Sequence, residues 1–512
     1  MAAQVNNDIA EIEEPKIPGN YSARKQNRWI PATIQLSSNE DLTSSQELLV
    51  APRSPVLNNR VSTASSHHHE DVDEIHKRIS KFHVSPAQLY STDSGKLYHA
   101  GSICIVLVGQ PARGKTNLSI SLCRYLRWLG VRANLFHMGD YRREKTNGLP
   151  HEFFDPKPES EEAAKARQEL TNMVINDMVT FFQNDMGQIA IYDAVNGISS
   201  QRLALAKTLN DKQIKAVFIE SLIDDEELLE RNIADAAKSP DYLNWEENEA
   251  IADYKKRIEM VNRAYEEMNE DELTYIKFIN FGERLFINNS KHDFLTTKVI
   301  SYLMNSKIKS GSIYFARCSN NKLKFKSDPP IDDKGKKYAT DLSATLLNHF
   351  ESMGQSSFPK NMVVWTSARL RTTQLADVFK KHGLRVRHRP EMTQMNPGDA
   401  EGLSDDELQA KYPVDYANHN LDPYHHRYPR ADSYHDIALK LEPLIMEMER
   451  MRNDILIIAD ETILRVFYGY LMASSCTDIP FISFPQEEII KITYNAYMNK
   501  AFRIPIKDSD KS

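Results

Sequence analysis

Residues 103–116 read ICIVLVGQPARGKT, and this stretch decides the fold of the first half of the chain. Ile103 to Val108 is an apolar run of strand length that stops at a glycine. Gly109, Gln110, Pro111, Ala112, Arg113, Gly114, Lys115 and Thr116 match the G-x-x-x-x-G-K-T template. Asn117 to Leu129 continues with a helical pattern. A tight glycine turn would explain the motif without a ligand, but a strand before it and a helix after it favour nucleotide binding. In that setting backbone N–H groups close around phosphate oxygens and the helix offers its positive end. Lys115 should then reach the β- and γ-phosphates of a bound nucleotide, and the Thr116 hydroxyl should ligate Mg2+.

Working outward, the alternation continues. ANLFHM, QIAIYDA and AVFIES read as strands, Glu161 to Phe182 carries a helix, and residues 225–272 are charged and helical. From about 311 the pattern restarts with SIYFA, MVVWTS and DILIIAD, again with helices between. IALKLEPLIMEMERM puts Ile437, Leu441, Ile445 and Met448 on one helical face. Strands alternating with helices imply parallel sheets covered on both faces, so two α/β domains are expected. Residues 1–97 are rich in Ser, Asn, Glu and Pro with little apolar periodicity, and read as a disordered tail. Ser54 in PRSP and Ser80 in HKRISKF have the neighbours of protein-kinase targets, a pattern that a serine-rich tail also produces by chance. His67, His68 and His69 read as a solvated cluster.

The composition narrows the class. Of 512 residues 41% are hydrophobic and 26% charged, as in globular proteins, and the net charge of −7 gives no footprint for nucleic acid. The longest apolar run, Ile103 to Val108, is too short to span a bilayer, and the N-terminus has no apolar leader core, so neither membrane nor secretory route is expected. Four cysteines without disulfide or metal spacing suit a reducing, cytoplasmic setting.

Other residues add chemistry. Asp193 closes the strand QIAIYDA, where a carboxylate can organise Mg2+ or accept a hydroxyl proton. Arg142 and Arg143 follow another strand and suit an anionic substrate, although a solvated basic turn has the same composition.

GQPARGKT, YRRE at 141–144, IAIYDAVN at 189–196, FIES at 218–221, SPDY at 239–242 and DYKKRIE at 253–259 occur in one order. Together they resemble the kinase domain of the bifunctional 6-phosphofructo-2-kinase/fructose-2,6-bisphosphatase family. The resemblance implies a P-loop NTPase-like kinase domain over 98–308 and a histidine-phosphatase-like α/β domain over 309–506. It also implies ATP-dependent phosphorylation of fructose 6-phosphate at its 2-hydroxyl, in the regulation of glycolysis and gluconeogenesis. A homodimer and protein kinases acting on the tail are partners it suggests. Carried over by position, Lys115 and Asp193 are catalytic, Asn196 and Asn232 contact the nucleotide, and Arg142, Arg167 and Arg257 hold the sugar phosphate. Lys238 takes the place of a further sugar-binding lysine once a one-residue gap is allowed.

The chain departs from that pattern. Val195 replaces a threonine and Gln201 an arginine, with Arg202 adjacent. Val261 replaces a tyrosine, with Tyr265 one turn away, and Ile223 replaces a cysteine. Each lost polar contact costs on the order of 1 kcal/mol.

In the second domain, VVWTSARLRTTQLA at 363–376 aligns Arg371 with a phosphate-binding arginine. DAEGLS at 399–404 aligns Glu401 with the family's acid/base, and YHHRYPRADSY at 424–434 aligns Arg427. The family's R-H-G-E, whose histidine attacks phosphorus, is Arg317-Cys318-Ser319-Asn320 here, and its second histidine is Asp460. A cysteine phosphatase loop places an arginine six residues after the cysteine, where this chain has Lys324. A silent phosphatase fold is therefore expected. A non-catalytic nucleotide- or sugar-phosphate-binding regulator is the alternative for the whole chain.

Overall fold

The computed structural model describes residues 101–507 except 145–150, 243, 291–292, 308, 319–323 and 495–498, together with 70, 71, 75, 79 and 85–87. Ser54, Ser80, Ser319, Asn320 and His67 to His69 lie outside the described residues, as does most of the expected tail.

The first sheet begins with β2 (Ser102–Val108), whose residues from Ile103 onward are all buried. Gly114, in the left-handed region at φ 76°, turns the chain directly into α1 (Lys115–Trp128). There follow β3 (Ala133–His137), α2 (Met138–Glu144), α3 (Glu161–Asn184) and β4 (Ile189–Asp193). Next come α4 (Ser199–Asp211), β5 (Ile214–Leu222), α5 (Glu226–Ala236), α6 (Glu247–Asn262), β6 (Tyr275–Ile279), β7 (Arg284–Asn288) and α7 (Phe294–Asn305). The strand order is β3-β4-β2-β5-β6-β7, parallel except for β7, which runs antiparallel to β6. The chain leaves β2 toward β3 on one side and later returns to β5 on the other. Beyond the carboxyl ends of β2 and β4 such a reversal opens a crevice, where open α/β sheets bind ligands.

The second sheet is built from β8 (Ile313–Arg317), α8 (Asp333–Ser352), β9 (Val363–Thr366), α9 (Leu370–Lys381) and β10 (Arg385–His388). Two short helices, α10 (Asp405–Lys411) and α11 (Pro413–Leu421), precede α12 (Tyr434–Arg450), β11 (Ile455–Ala459), α13 (Glu461–Leu471), β12 (Glu488–Thr493) and β13 (Lys500–Pro505). Parallel strands β8, β11, β9 and β10 are extended by antiparallel β12 and β13. The two α/β units share one apolar core, in which Leu122, Leu126 and Trp128 of α1 join Leu441, Ile445 and Met448 of α12 and Tyr470 of α13.

A few residues of the expected tail are among those described. Strand β1 (Glu70–Asp71) pairs with β13 in the second sheet. Ile75, Ile79 and Ala87 are buried. The Ile79 N–H donates to Asn134 Oδ1 at 2.9 Å, and Ala87 N–H to the Trp128 carbonyl at 3.0 Å. The carbonyls of Pro86 and Ala87 accept from the Tyr424 hydroxyl and His435 Nε2. Sparse apolar residues suffice here because two domains supply the opposite surface.

Candidate active site

The phosphate loop is held from several sides. Gly109 has φ 143°, and a Cβ there would lie 2.7 Å from the Ser221 carbonyl. Its N–H donates to the Val195 carbonyl at 3.0 Å. Asn232 Nδ2 donates to the Ala112 carbonyl at 2.9 Å, Ser221 Oγ to the Arg113 carbonyl at 2.6 Å, and Ala112 N–H to the Tyr254 hydroxyl at 3.1 Å. Asn196 Nδ2 donates to the Leu107 carbonyl at 2.7 Å. Asn196 and Asn232, expected at the nucleotide, thus brace the loop. Ser221 and Tyr254 do the same, and the sequence reading had missed that role.

Lys115 is buried, and its Nζ donates to the Gln110 carbonyl at 2.7 Å. Burial lowers its pKa to about 8, against a partial rise from Asp193. A desolvated ammonium gains from an anion placed beside it. Arg113 Nη1 is buried with no hydrogen-bond partner. Both features fit the phosphates of a nucleotide, with the Thr116 hydroxyl as the side chain to hold Mg2+.

Asp193, 2% exposed, ends β4. Its Oδ2 lies 2.8 Å from His137 Nδ1 and accepts from Ser119 Oγ at 3.3 Å. Burial pushes its pKa up, but His137, Lys115 and a hydrogen bond from Thr116 outweigh that and hold it below the usual carboxylate range. His137 is a member of this site that the motifs did not reveal.

The arginines gather nearby. Arg142 and Arg257 pair with Asp241 Oδ2, the latter at 3.4 Å, and Arg143 pairs with Asp241 Oδ1 at 3.0 Å. Arg257 Nε also reaches Asp253 at 2.9 Å, and Arg143 reaches Asp140. The guanidinium groups of Arg142 and Arg257 lie 5.1 and 4.1 Å from the Phe154 ring centre. Arg167 donates to the Phe153 carbonyl at 2.6 Å. The three arginines expected at the sugar phosphate therefore share one neighbourhood, joined by Arg143. Asp140, Asp241 and Asp253 already balance Arg142, Arg143 and Arg257. The Asp241 carboxyl stays below its ordinary range because Arg142 and Arg143 outweigh its burial.

Lys238 does not join this group: its side chain is 62% exposed and sits 3.8 Å from Glu247. The polar neighbours of Gln201 and Val261 are committed to other partners. Arg202 is buried against Glu270 at 2.6 Å and donates to the carbonyls of Asn196 and Glu266. The Tyr265 hydroxyl donates to Glu220 at 2.6 Å. Val261 and Ile223 are buried, and Gln201 is exposed.

In the second domain Cys318 is fully buried and its Sγ lies 3.4 Å from Asp460 Oδ1. Burial and the Asp460 carboxylate raise its pKa well above the ordinary thiol value. Arg371 Nη2 pairs with the same Asp460 oxygen at 2.6 Å. Arg317 pairs with Glu461 at 3.0 Å and donates to the Phe484 carbonyl. Glu401 accepts from the Phe325 N–H, and Arg369 Nη2 donates to the Phe325 carbonyl at 2.8 Å. Arg427, expected here, is instead 54% exposed and 3.5 Å from Asp436, near the start of α12. Carboxylates thus face both arginines, Glu461 at Arg317 and Asp460 at Arg371, while Arg317 Nε, Arg371 Nε and Asp460 Oδ2 are buried without a hydrogen-bond partner. Among the described residues no group of three or more His, Cys, Asp or Glu could hold a metal ion, and no helix is long and apolar enough to cross a membrane.

Residues 90–310 match the family model for 6-phosphofructo-2-kinase, and residues 317–504 that for the histidine phosphatase superfamily, branch 1. A Saccharomyces cerevisiae protein, named only as a candidate 6-phosphofructo-2-kinase/fructose-2,6-bisphosphatase, is 36% identical over 96% of this chain and 95% of its own length. The rat 6-phosphofructo-2-kinase/fructose-2,6-bisphosphatase 3 is 33% identical over 77% of this chain and 70% of its own. A yeast fructose-2,6-bisphosphatase is 33% identical over 78% and 88%. Among solved structures, a mycobacterial glucosyl-3-phosphoglycerate phosphatase with inorganic phosphate is 16% identical over 39% of this chain and 98% of that one, at a TM-score of 0.31. With a kinase model on the first sheet, a phosphatase model on the second and relatives spanning both, the chain belongs to the 6-phosphofructo-2-kinase/fructose-2,6-bisphosphatase family.

Proposed function

We propose that this chain transfers the γ-phosphoryl group of ATP to the 2-hydroxyl of fructose 6-phosphate, and that its phosphatase domain is catalytically silent. The observation that carries the reading is the contrast between the two sites. Lys115 is buried and desolvated beside Asp193, with an arginine group nearby, whereas Arg371 is already occupied by Asp460. In this reading the loop and Lys115 hold the nucleotide phosphates. Mg2+ at Thr116 would supply charge neutralisation. Arg142, Arg167 and Arg257 orient the sugar phosphate, and Asp193 faces the acceptor hydroxyl. Positioning and charge neutralisation are most of what phosphoryl transfer needs. Hydrolysis would lack a nucleophile, because Cys318 stays a protonated thiol beside a carboxylate that repels phosphate.

A coupled assay with ATP, Mg2+ and fructose 6-phosphate tests this. Fructose 2,6-bisphosphate should accumulate and should not be hydrolysed on prolonged incubation. A folded, nucleotide-binding protein that forms no product at saturating sugar sinks the kinase reading. One observation favours a second reading, a non-catalytic regulator: Asp140, Asp241 and Asp253 neutralise the arginines on which sugar binding depends. Calorimetric titration separates the two, since ATP binding without sugar binding supports only the regulator.

A further inference from the structure

Residue His137 is the last of β3 and lies directly opposite Asp193, the last of β4, in the parallel register. Their side chains therefore leave neighbouring strands at the same level, beside the phosphate loop. At 2.8 Å the geometry suits an Nδ1–H donated to Oδ2. Ser119 approaches the same oxygen at 3.3 Å, so two side chains approach one oxygen and fix the orientation of the carboxylate. The other edge of the imidazole lies over Gly139. A Cβ added there would overlap His137 Nε2 and would stand 3.2 Å from Arg143 Nη1. The ring thus lies with one edge toward Asp193 and the other against residue 139, and it fits there only because residue 139 has no side chain.

We propose that His137 is a positioning residue of the phosphoryl-transfer centre, acting through Nδ1–H on Asp193. The inference rests on the kinase reading above. A carboxylate that must face one hydroxyl in line with a phosphoryl group tolerates little rotation, and small misplacements reduce rate strongly. A merely structural pair would instead show itself in folding or in nucleotide affinity.

Exchanging one nitrogen at a time separates these roles. The amide nitrogen of Asn can take the place of Nδ1, and that of Gln the place of Nε2. His137→Ala is expected to lower kcat roughly 30-fold while changing KM for ATP less than about threefold. His137→Asn should stay within about threefold of the parent, and His137→Gln should resemble Ala. Gly139→Ala should lower kcat in the parent by displacing the ring, and should have little effect in the His137→Asn background. Thermal unfolding and ATP titration of each variant verify that the fold and the loop are intact. Parental kcat in His137→Ala, Gln equal to or better than Asn, or a loss confined to ATP affinity or folding overturns the proposal. A parent without turnover overturns the kinase reading and this inference with it, whereas an active parent indifferent to His137→Ala overturns this inference alone.

Discussion

Asp460 shows how one residue can close a site. Its carboxylate occupies Arg371, and together with burial, the larger cause, it raises the pKa of the Cys318 thiol well above the ordinary value. Asp460→Asn should remove the ion pair, destabilise the domain by roughly 1–3 kcal/mol and free Arg371 for an anion. Inorganic phosphate should then raise the unfolding midpoint of the variant more than that of the parent. An equal response would mean that Arg371 stays closed for another reason. Cys318 itself should resist alkylation in the native protein at pH 7–8, because it is buried and its thiol titrates well above the ordinary value. Mass spectrometry after treatment with iodoacetamide checks this. Cys318 and Asp460 were singled out by the family resemblance, through R-C-S-N and IIADE, and the structure puts the two side chains in contact. His137, by contrast, lies in no motif, and only the pairing of β3 with β4 brings it to Asp193.

Among the elements, the segment around residues 85–87 depends on His435. Burial lowers the pKa of this histidine to about 4, with His425 adding to the effect, while Nε2 donates to the Ala87 carbonyl. The native imidazole is neutral at pH 7, and the unfolded one takes up a proton near 6.5. Between those values the unfolded state binds more protons, so stability falls as pH drops from about 6.5 to 4. From pH 7 to 5 this residue alone should account for about 2 kcal/mol. His435→Gln should flatten that part of the pH profile in urea unfolding. An unchanged profile would place the acid sensitivity elsewhere. The strands that carry both candidate sites were legible from their apolar runs. The strands β6, β7, β10, β12 and β13 were not: charged or polar residues interrupt their apolar runs, as Lys277 does in β6, Lys491 in β12 and Arg385 and Arg387 in β10, and in β7 Phe286 and Ile287 are exposed.

Across the whole molecule the two domains are joined by charge as well as by apolar packing. Glu449 is buried with Arg124 at 3.2 Å and Lys309 at 3.6 Å, and accepts from the Tyr470 hydroxyl at 2.6 Å. Removing one member strands the others without a counter-charge, so Glu449→Gln should cost about 3–5 kcal/mol. It should also broaden or split a calorimetric transition that is single in the parent. A parent-like transition would show that the apolar core alone couples the domains. By itself the sequence determined the two α/β domains and the G-x-x-x-x-G-K-T loop between a strand and a helix, since these reside in local apolar periodicity and in fixed spacing along the chain. Only the tertiary structure decided that Asp241 gathers the arginines, that Arg202 is held by Glu270 and Tyr265 by Glu220, that Lys238 and Arg427 stand apart, and that His137 meets Asp193. The physical reason is that the partner of a charged or polar side chain is set by which strands and helices become neighbours in space, and no spacing along the chain encodes that.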